Sequence, residues 1–188
     1  MTFDNWTASQ VIDAAAHAVE SDPVGFHAAL DDIPAAIYVA DTEGTVTYYN
    51  EACVSAVGRL PSVGVDRWCV SWRLYTPQGD FLPHDRCPMA VAIKEGRQVR
   101  GVEIVAERPD GTRGRFIPYP TPLFDREGRL SGAVNLLVDI SDQPDADFLE
   151  TRADQCRRLA VEVDDPYASE MLALMAAKYS AQARKGED

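Results

Sequence analysis

The chain has 188 residues, of which 46% are hydrophobic and 26% are charged, a composition typical of folded globular proteins and too apolar for extensive disorder. Lys and Arg number 18 against 30 Asp and Glu, which gives a net charge of −12 at pH 7. A field of that sign repels phosphate backbones and anionic lipid, so we expect neither nucleic-acid nor membrane binding.

The N-terminus and the length of the apolar runs indicate the expected cellular compartment. The first ten residues lack a basic segment followed by an apolar core, so no signal peptide is expected. The apolar runs are too short to span a bilayer. We therefore expect a cytoplasmic protein with reduced thiols. The cysteines are scattered without a C-x-x-C pair, at Cys53, Cys69, Cys87 and Cys156.

A helix is predicted near the N-terminus. Thr7 followed by Gln10 forms a capping-box pattern, and apolar residues then recur every four positions at Val11, Ala15 and Val19. Such a stripe packs either on its own domain or on a second copy of the chain, and the spacing fits both. We expect a homodimer that uses this stripe or the C-terminal helices.

After a short helix over 24–30, the signals change to strands. The runs AAIYVAD and TVTYYN flank a tight turn, and Asn50 stands where it would cap a helix through EACVSAVG. Residues 59–83 read as short helices and turns, and CPMAVAIKEG reads as a helix. Three strands joined by glycine-containing turns follow. Hairpins at both ends predict an antiparallel sheet with helices on one face, an α+β architecture.

Three prolines mark the strand RFIPYPTPL. Pro118, Pro120 and Pro122 share parity, so three backbone N–H donors are missing along one edge of the strand. We predict that the hydrogen-bond ladder beside this strand is broken or bulged on one side. An irregularity tolerated at a strand end is the alternative.

The C-terminal residues predict two helices joined by DDP. The first has the spacing of a coiled-coil seam at Leu149, Ala153, Cys156, Ala160 and Val163. A hairpin of this size has little core of its own, so it must dock on the sheet domain, on a second copy or on a partner. The candidate interface residues in this hairpin are Leu149, Cys156, Met171 and Met175.

Two segments resemble the ends of a PAS domain. IPAAIYVADTEGTVTYYNEAC is similar to its opening strands, and PTPLFDREGRLSGAVNLLVDISD is similar to its close, so the resemblance covers about residues 26–142. It implies a five-stranded antiparallel sheet that cups a pocket behind short helices, with an N-terminal helix over 1–25 and a helical hairpin over 143–188. It also implies a non-enzymatic sensory or protein-interaction module of bacterial-type signal transduction, which passes a signal from the sheet to the C-terminal helices and has a signalling protein partner.

The resemblance also places a ligand pocket, although the sequence names no cofactor and no small-molecule ligand. The expected pocket residues are Tyr49, Trp68, Trp72, His84, Met89, Ile93 and Asn135. Heme is one alternative, because heme-binding PAS domains take their axial histidine from the helix region that His84 precedes. The asparagine–cysteine motif of flavin photoreceptors in this family has no counterpart around Trp68 and Cys69.

The segment FLPHDRCPMA poses a choice between chemistry and helix initiation. His84 and Cys87 offer two metal ligands, whereas a closed zinc site needs about four. Helix initiation is favoured, because Asp85 is placed to accept from exposed backbone N–H groups and Pro88 is tolerated in a first turn. The remaining alternative is a small α+β cone enzyme in which His84 and Asp85 act as acid and base, although adjacent side chains usually point apart.

Overall fold

The computed structural model describes residues 7–142, 146–162 and 166–185. The chain divides after Ser141 into two compact units. The helices of the first unit are α1 Ala8–Ser21, α2 His27–Asp31, α3 Glu51–Val57 and α4 Pro88–Glu95, with a 3₁₀ turn at His84–Arg86. Its strands are β1 Ala36–Ala40, β2 Val46–Tyr49, β3 Arg73–Tyr75, β4 Phe81–Leu82, β5 Ile104–Glu107, β6 Arg113–Pro118, β7 Thr121–Phe124 and β8 Leu130–Asp139. The second unit contains α5 Ala146–Glu162 and α6 Pro166–Lys185. No helix in these described ranges is long and apolar enough to cross a membrane.

The strands form one antiparallel sheet in the order β2-β1-β8-β6-β5-β3-β4, and β7 also pairs with β8. With β6 and β7 sharing one place beside β8, the strands β2, β1, β8, β6/β7 and β5 form the expected five-stranded cup, and the α+β fold is confirmed. The hairpin β3–β4 extends this cup. Residues 59–83 were expected to hold only short helices and turns, which is wrong for this hairpin. Pairing along the free edge of β5 buries Leu74, and that tertiary contact stabilises the short strands.

The prolines interrupt the sheet on one side, as predicted. β6 and β7 pair with β8, and the Tyr119 N–H donates to β8 at 2.8 Å, so the missing donors of Pro118, Pro120 and Pro122 point away from β8. On that other side, the ladder with β5 ends before the first proline. The Arg100 guanidinium there donates to the Pro120 carbonyl at 2.8 Å in place of a strand.

Both faces of the sheet are covered. The cup face packs against α3, α4 and the segment that precedes β3, and its core includes Tyr38, Leu74, Met89 and Phe116. The outer face packs against α1 and α2, with Leu136 among its buried residues. The strands β1 and β8 are therefore buried on both sides, which explains why their apolar residues run nearly without interruption.

Helix α1 begins as the capping box predicts. The Gln10 N–H donates to the Thr7 hydroxyl at 3.3 Å, and the Gln10 side chain accepts from the Thr7 N–H at 2.9 Å. The stripe Val11, Ala15 and Val19 is buried against the outer face of the sheet. Full burial of a valine side chain contributes roughly 1.5–3 kcal/mol. These three residues thus make their contacts within one chain, and an interface role for them stays a prediction.

Asn50 occupies the position before α3, but its side chain does not cap the helix. Instead, its Oδ1 accepts from the Ile37 N–H at 3.0 Å, and its Nδ2 lies within hydrogen-bonding distance of the carbonyls of Leu30, Ile33 and Ala35. Asn50 is therefore the N-cap residue that the sequence predicted, but its side chain makes other hydrogen bonds than those of a cap. The buried amide ties the end of α2 to the start of β1, and α2 itself begins at His27, later than expected, after a turn.

In the second unit, α5 and α6 form the expected helical hairpin. The Ser180 hydroxyl of α6 donates to Glu150 at 3.3 Å and accepts from the Arg157 guanidinium of α5 at 3.1 Å. Leu149 and Cys156 are buried, and so are Ala153, Ala176 and Ala183. Met171 and Met175 are 42% and 41% exposed. Val163, the last residue of the predicted seam, lies outside the described residues.

Candidate functional site

Five of the seven predicted pocket residues meet on the cup face. Met89 and Ile93 lie on the inner side of α4 and are buried, and Tyr49 and Trp68 pack against the same cluster. Asn135 is buried in β8 and reaches the cup through its hydrogen bond to a tyrosine of β1.

Of the other two predicted pocket residues, Trp72 stands apart from this cluster, and His84 lies at its edge, near Cys69. Trp72 is 49% exposed, and the Arg73 guanidinium lies 5.8 Å from its ring, so Trp72 does not line the cup. His84 is half-buried in the 3₁₀ turn that precedes α4. The sequence placed both beside the pocket because they flank it along the chain, whereas the backbone turns their side chains outward or to the rim.

The centre of the cup is filled by the protein itself. Tyr38, Leu74, Met89 and Phe116 each have less than 2% of their surface exposed and belong to one cluster. A macrocycle would have to displace these side chains, because ligand pockets for molecules of that size enclose several hundred Å³. The residues present therefore do not fit a heme held by His84.

A line of polar groups crosses this apolar centre. The Tyr38 hydroxyl donates to the Trp68 carbonyl at 3.1 Å, and the Asn135 amide donates to the Tyr38 oxygen at 3.1 Å. Burial raises the pKa of Tyr38 well above its usual value, so the phenol remains a neutral donor. The Asn135 Oδ1 is buried without a hydrogen-bond partner. Buried polar atoms of this kind are uncommon, and they mark the cup as the chemically distinctive part of the molecule.

Three thiols surround the same polar line. Cys53, Cys69 and Cys87 are buried, with 0%, 3% and 2% exposure. The Cys87 sulfur lies 3.7 Å from the Trp68 carbonyl oxygen, and its single proton can be donated either to that oxygen or to the neighbouring Cys69 sulfur. The Ser71 N–H donates to the Cys69 sulfur at 3.5 Å. The Cys53 thiol donates to a backbone carbonyl of β1 at 3.2 Å.

The pKa values of the paired thiols move in opposite directions. The hydrogen bond from Cys87 lowers the pKa of Cys69, with further help from His84 and Ser71 and against the effect of burial. The same hydrogen bond and burial raise the pKa of Cys87 well above its usual value. Burial also raises the pKa of Cys53. The first proton lost from the cluster therefore comes from Cys69.

Trp68 holds the backbone beside these thiols in an unusual conformation. Its φ is +67°, and no other non-glycine residue in the described ranges has a positive φ. Its N–H donates to the Gly44 carbonyl at 2.6 Å, and the indole covers Gly44 so closely that an added Cβ would lie 2.2 Å from the ring. The Lys94 ammonium lies 5.0 Å from the ring centroid. A left-handed conformation costs a bulky residue of order 1–3 kcal/mol, so the packing of the indole maintains the strain.

His84 and Asp85 do not form an acid–base pair. Asp85 is exposed, and none of the hydrogen bonds in the described part of the chain ends on its carboxylate. The capping role expected for Asp85 is also wrong, because α4 begins at Pro88 after Cys87, with no side-chain cap. Pro88 does occupy the first turn as predicted. Within the described residues, no three His, Cys, Asp or Glu side chains come together as potential metal ligands.

A family model described as PAS fold matches residues 30–144. The chain belongs to the PAS family. The match covers more than half of the sequence and spans β1 to β8, including the cup and all three of its buried thiols. PAS domains are sensory folds, so the chain carries a signal-sensing module. Among curated proteins, no sequence matches the chain.

Solved structures with a PAS-type fold resemble the chain over more than this segment. The LOV protein of Rhodobacter sphaeroides is 17% identical, with a TM-score of 0.51, and the match covers 86% of this chain and 93% of that one. An RNA-binding light-oxygen-voltage receptor is 24% identical, with a TM-score of 0.51, covering 76% of this chain and 38% of that one. At these identities, the likeness shows the fold alone.

The sequence did not indicate that two cysteines, a tyrosine and a serine of this PAS domain would meet. Cys69 and Cys87 are far apart in the chain, and neither belongs to a recognised motif. Tyr38 lies in a strand whose residues are all buried, so its burial pattern does not single out the polar line. The pair becomes visible only when the segment before β3 packs against the start of α4.

One cavity of the PAS unit lies outside the cup. It measures about 680 Å³ and opens between the end of α1 and the turns that follow β1 and β7. Its carboxylates serve those turns: Asp41 accepts from two N–H groups of the β1–β2 turn, Asp125 does the same in the β7–β8 turn, and Glu20 accepts from the Phe124 N–H at 3.2 Å. The cavity is thus bordered by groups that hold the fold together.

Proposed function

We propose that this chain is a non-enzymatic PAS sensory module that acts in the cytoplasm as a homodimer, with the helical hairpin as its dimerisation and output element. The filled cup supports the non-enzymatic part, since its described side chains leave neither a substrate cavity nor a converging acid–base pair. The output reaches a signalling protein through the hairpin, which follows β8 directly in the chain. A change in β8 is thereby connected by backbone to the helices.

The observation that carries the dimer is an apolar stripe on α6. Met171, Leu174 and Met175 are spaced i, i+3 and i+4, so they lie on one side of the helix, and they are 42%, 60% and 41% exposed. Ala176, Ser180 and Ala183 are buried on a different face of α6, and Ser180 contacts α5 there. Large apolar side chains that remain exposed together on a helical hairpin mark an interaction surface.

A second copy of the chain is the partner that fits this stripe. Two helical hairpins associate into a four-helix bundle, which buries such stripes around a common axis. A two-fold interface uses the same patch on both subunits, and a stripe of methionine and leucine is complementary to itself. Leu159 and Val161 on α5, 43% and 87% exposed, add apolar surface to the same hairpin.

The test is the native mass of the full chain and of the double variant Met171→Glu with Met175→Glu. We expect the wild type to show twice the chain mass and the variant to show the chain mass, because four buried carboxylates per dimer would be desolvated without partners. The control is Ala173→Glu with Ala177→Glu, which adds the same charge at the same spacing on an exposed flank of α6.

The control variant should remain a dimer at concentrations where the methionine variant is a monomer. Circular dichroism of both variants establishes that the helices persist. A monomeric wild type would overturn the dimer. If the methionine variant were as dimeric as the wild type, the dimer interface would not lie on the stripe, and the proposal that the hairpin forms it would be wrong.

A further inference from the structure

We infer that Cys69 and Cys87 form a redox modification site, in which a hydroperoxide converts the two thiols into a reversible disulfide. The site lies in the cup and is separate from the hairpin surface. This inference rests on the proposed function in one respect only: the disulfide would be the signal that the sensory module detects. The disulfide itself requires no dimer and no partner.

The geometry of the pair is set by the Trp68 peptide group. Cys69 follows Trp68 directly in the chain, and the Cys87 sulfur lies 3.7 Å from the Trp68 carbonyl oxygen. Both side chains are buried in the same core cluster and interact with each other, although their residues belong to different elements. Disulfides form where the side chains of two cysteines converge at such range without a large backbone movement.

The two thiols have complementary chemical roles. The Ser71 N–H donates to the Cys69 sulfur, the Cys87 S–H can turn from the Trp68 carbonyl to a Cys69 thiolate, and His84 is close enough to stabilise a negative charge there. These contacts lower the pKa of Cys69 and make it the nucleophile, because a thiolate reacts with peroxide and a thiol does not. Cys87 keeps the shared proton and is the resolving thiol.

The reaction balances in two steps. The Cys69 thiolate attacks the distal oxygen of the hydroperoxide, the O–O bond breaks, and the leaving alkoxide takes a proton, which gives a sulfenic acid on Cys69 and an alcohol. The Cys87 sulfur then attacks the Cys69 sulfur, the S–O bond breaks, and water leaves with the Cys87 proton. Two thiols are oxidised by two electrons in total, and the hydroperoxide is reduced to alcohol and water. A dithiol reductant reverses the change.

Oxidation would alter the polar line of the cup. The Cys87 S–H is one of two donors to the Trp68 carbonyl, and a disulfide has no S–H. The remaining donor is Tyr38, which is linked to Asn135 of β8. The Trp68 carbonyl accepts from both Cys87 and Tyr38, and the Trp68 backbone is strained by its positive φ. Loss of the Cys87 hydrogen bond removes one of the contacts that hold this strained conformation in place, so the conformation changes. The disulfide therefore acts on β1 and β8 through Tyr38.

Cys53 is the matched control, because it is as buried as the pair, its pKa is raised where that of Cys69 is lowered, and its S–H donates to a backbone carbonyl of β1. The fully reduced full-length protein is treated with hydrogen peroxide, denatured with an alkylating reagent, and mapped by mass spectrometry. We expect a peptide linking Cys69 to Cys87, formed while Cys53 and Cys156 remain alkylatable. Treatment with dithiothreitol should restore four alkylated cysteines. In Cys87→Ser, the sulfenic acid on Cys69 should persist and react with dimedone.

Three outcomes would overturn the site: no linked peptide, equal oxidation of Cys53 and Cys69, or a disulfide that uses Cys53 or Cys156. The covalent readout does not depend on oligomeric state. A monomeric wild type with a Cys69–Cys87 disulfide would reject the dimer and keep the site, and a dimer without the disulfide would do the reverse. If Cys87→Ser fails to fold, peroxide kinetics of Cys53→Ser provide the test, since that variant should form the disulfide at the wild-type rate.

Discussion

Asn50 offers the sharpest test of what holds the PAS unit together. Its side chain has 2% of its surface exposed and connects to four backbone groups of the segment between α2 and β1. Replacement by alanine leaves the Ile37 N–H without its acceptor and the carbonyl of Ala35 without its donor. Because the site is buried, water does not replace these bonds without opening the structure.

The cost follows from the groups left unpaired. A buried donor or acceptor without a partner costs about 1–3 kcal/mol, so for these two groups we expect Asn50→Ala to lower the free energy of unfolding by roughly 2–6 kcal/mol. Typical domains are stable by about 5–15 kcal/mol, so the variant should fold but unfold more easily. With a urea dependence near 2 kcal/mol per molar, the midpoint should fall by about 2 M.

Asn50→Asp is the matched variant, because it keeps the shape and the acceptor for the Ile37 N–H. At neutral pH, its carboxylate faces carbonyl oxygens, which raises its pKa in the folded state. The variant should therefore gain stability relative to the wild type as pH falls through that raised pKa, when the protonated carboxyl can donate. A loss below about 1 kcal/mol for Asn50→Ala would contradict the bridging role, since that is the scale of an ordinary exposed substitution. So would a pH-independent difference between Asn50→Asp and the wild type.

Three further predictions use the same urea titration. Asn135→Leu should change the unfolding free energy by less than about 1 kcal/mol, because it removes the unpaired Oδ1 and only one hydrogen bond to the Tyr38 hydroxyl. A loss as large as that of Asn50→Ala would show that Oδ1 has a partner. Gly132→Ala should lower the free energy of unfolding by roughly 2–3 kcal/mol, because φ is +152° and the new Cβ would lie 2.3 Å from a backbone carbonyl oxygen of β1. An unchanged urea midpoint would contradict this close approach. The hydrogen bond from Arg113 lowers the pKa of Glu107 in the folded state, so the stability it contributes should be lost as pH falls below the ordinary carboxyl range, and Glu107→Gln should flatten that dependence. A pH profile identical to that of the wild type would argue against the ion pair.

The parts of the fold that the sequence predicted correctly depend on neighbours along the chain. The Thr7–Gln10 capping box requires partners three residues apart, and the outer hairpins require only turn residues between two β-rich runs. The proline prediction was confirmed for the same reason, because the parity of Pro118, Pro120 and Pro122 fixes the side on which donors are missing.

The parts that failed depend on distant contacts. Asn50 has the side chain of a capping residue, yet its partners lie 13 to 20 residues away in the chain, and their combined hydrogen bonds outweigh a cap. The strand at Arg73–Tyr75 forms because β5 has an unpaired edge, and the sequence near residues 73–75 does not indicate that this edge is available. The thiol pair required the packing of α4 against the segment before β3, so the sequence could name its cysteines but not bring them together.

The proline-bearing strand also protects the molecule from its own copies. An open sheet edge that can both donate and accept is a template on which another chain can add a strand, and growth of that kind ends in fibrils. Between Pro118 and Pro122, every outward-facing donor is absent, and the Pro120 carbonyl already accepts from the Arg100 guanidinium and from the Val99 N–H. An incoming strand would therefore find no N–H donors here, and the Pro120 carbonyl is already bonded. The interruption that shortens β5's pairing thus keeps this flank of the sheet from polymerising.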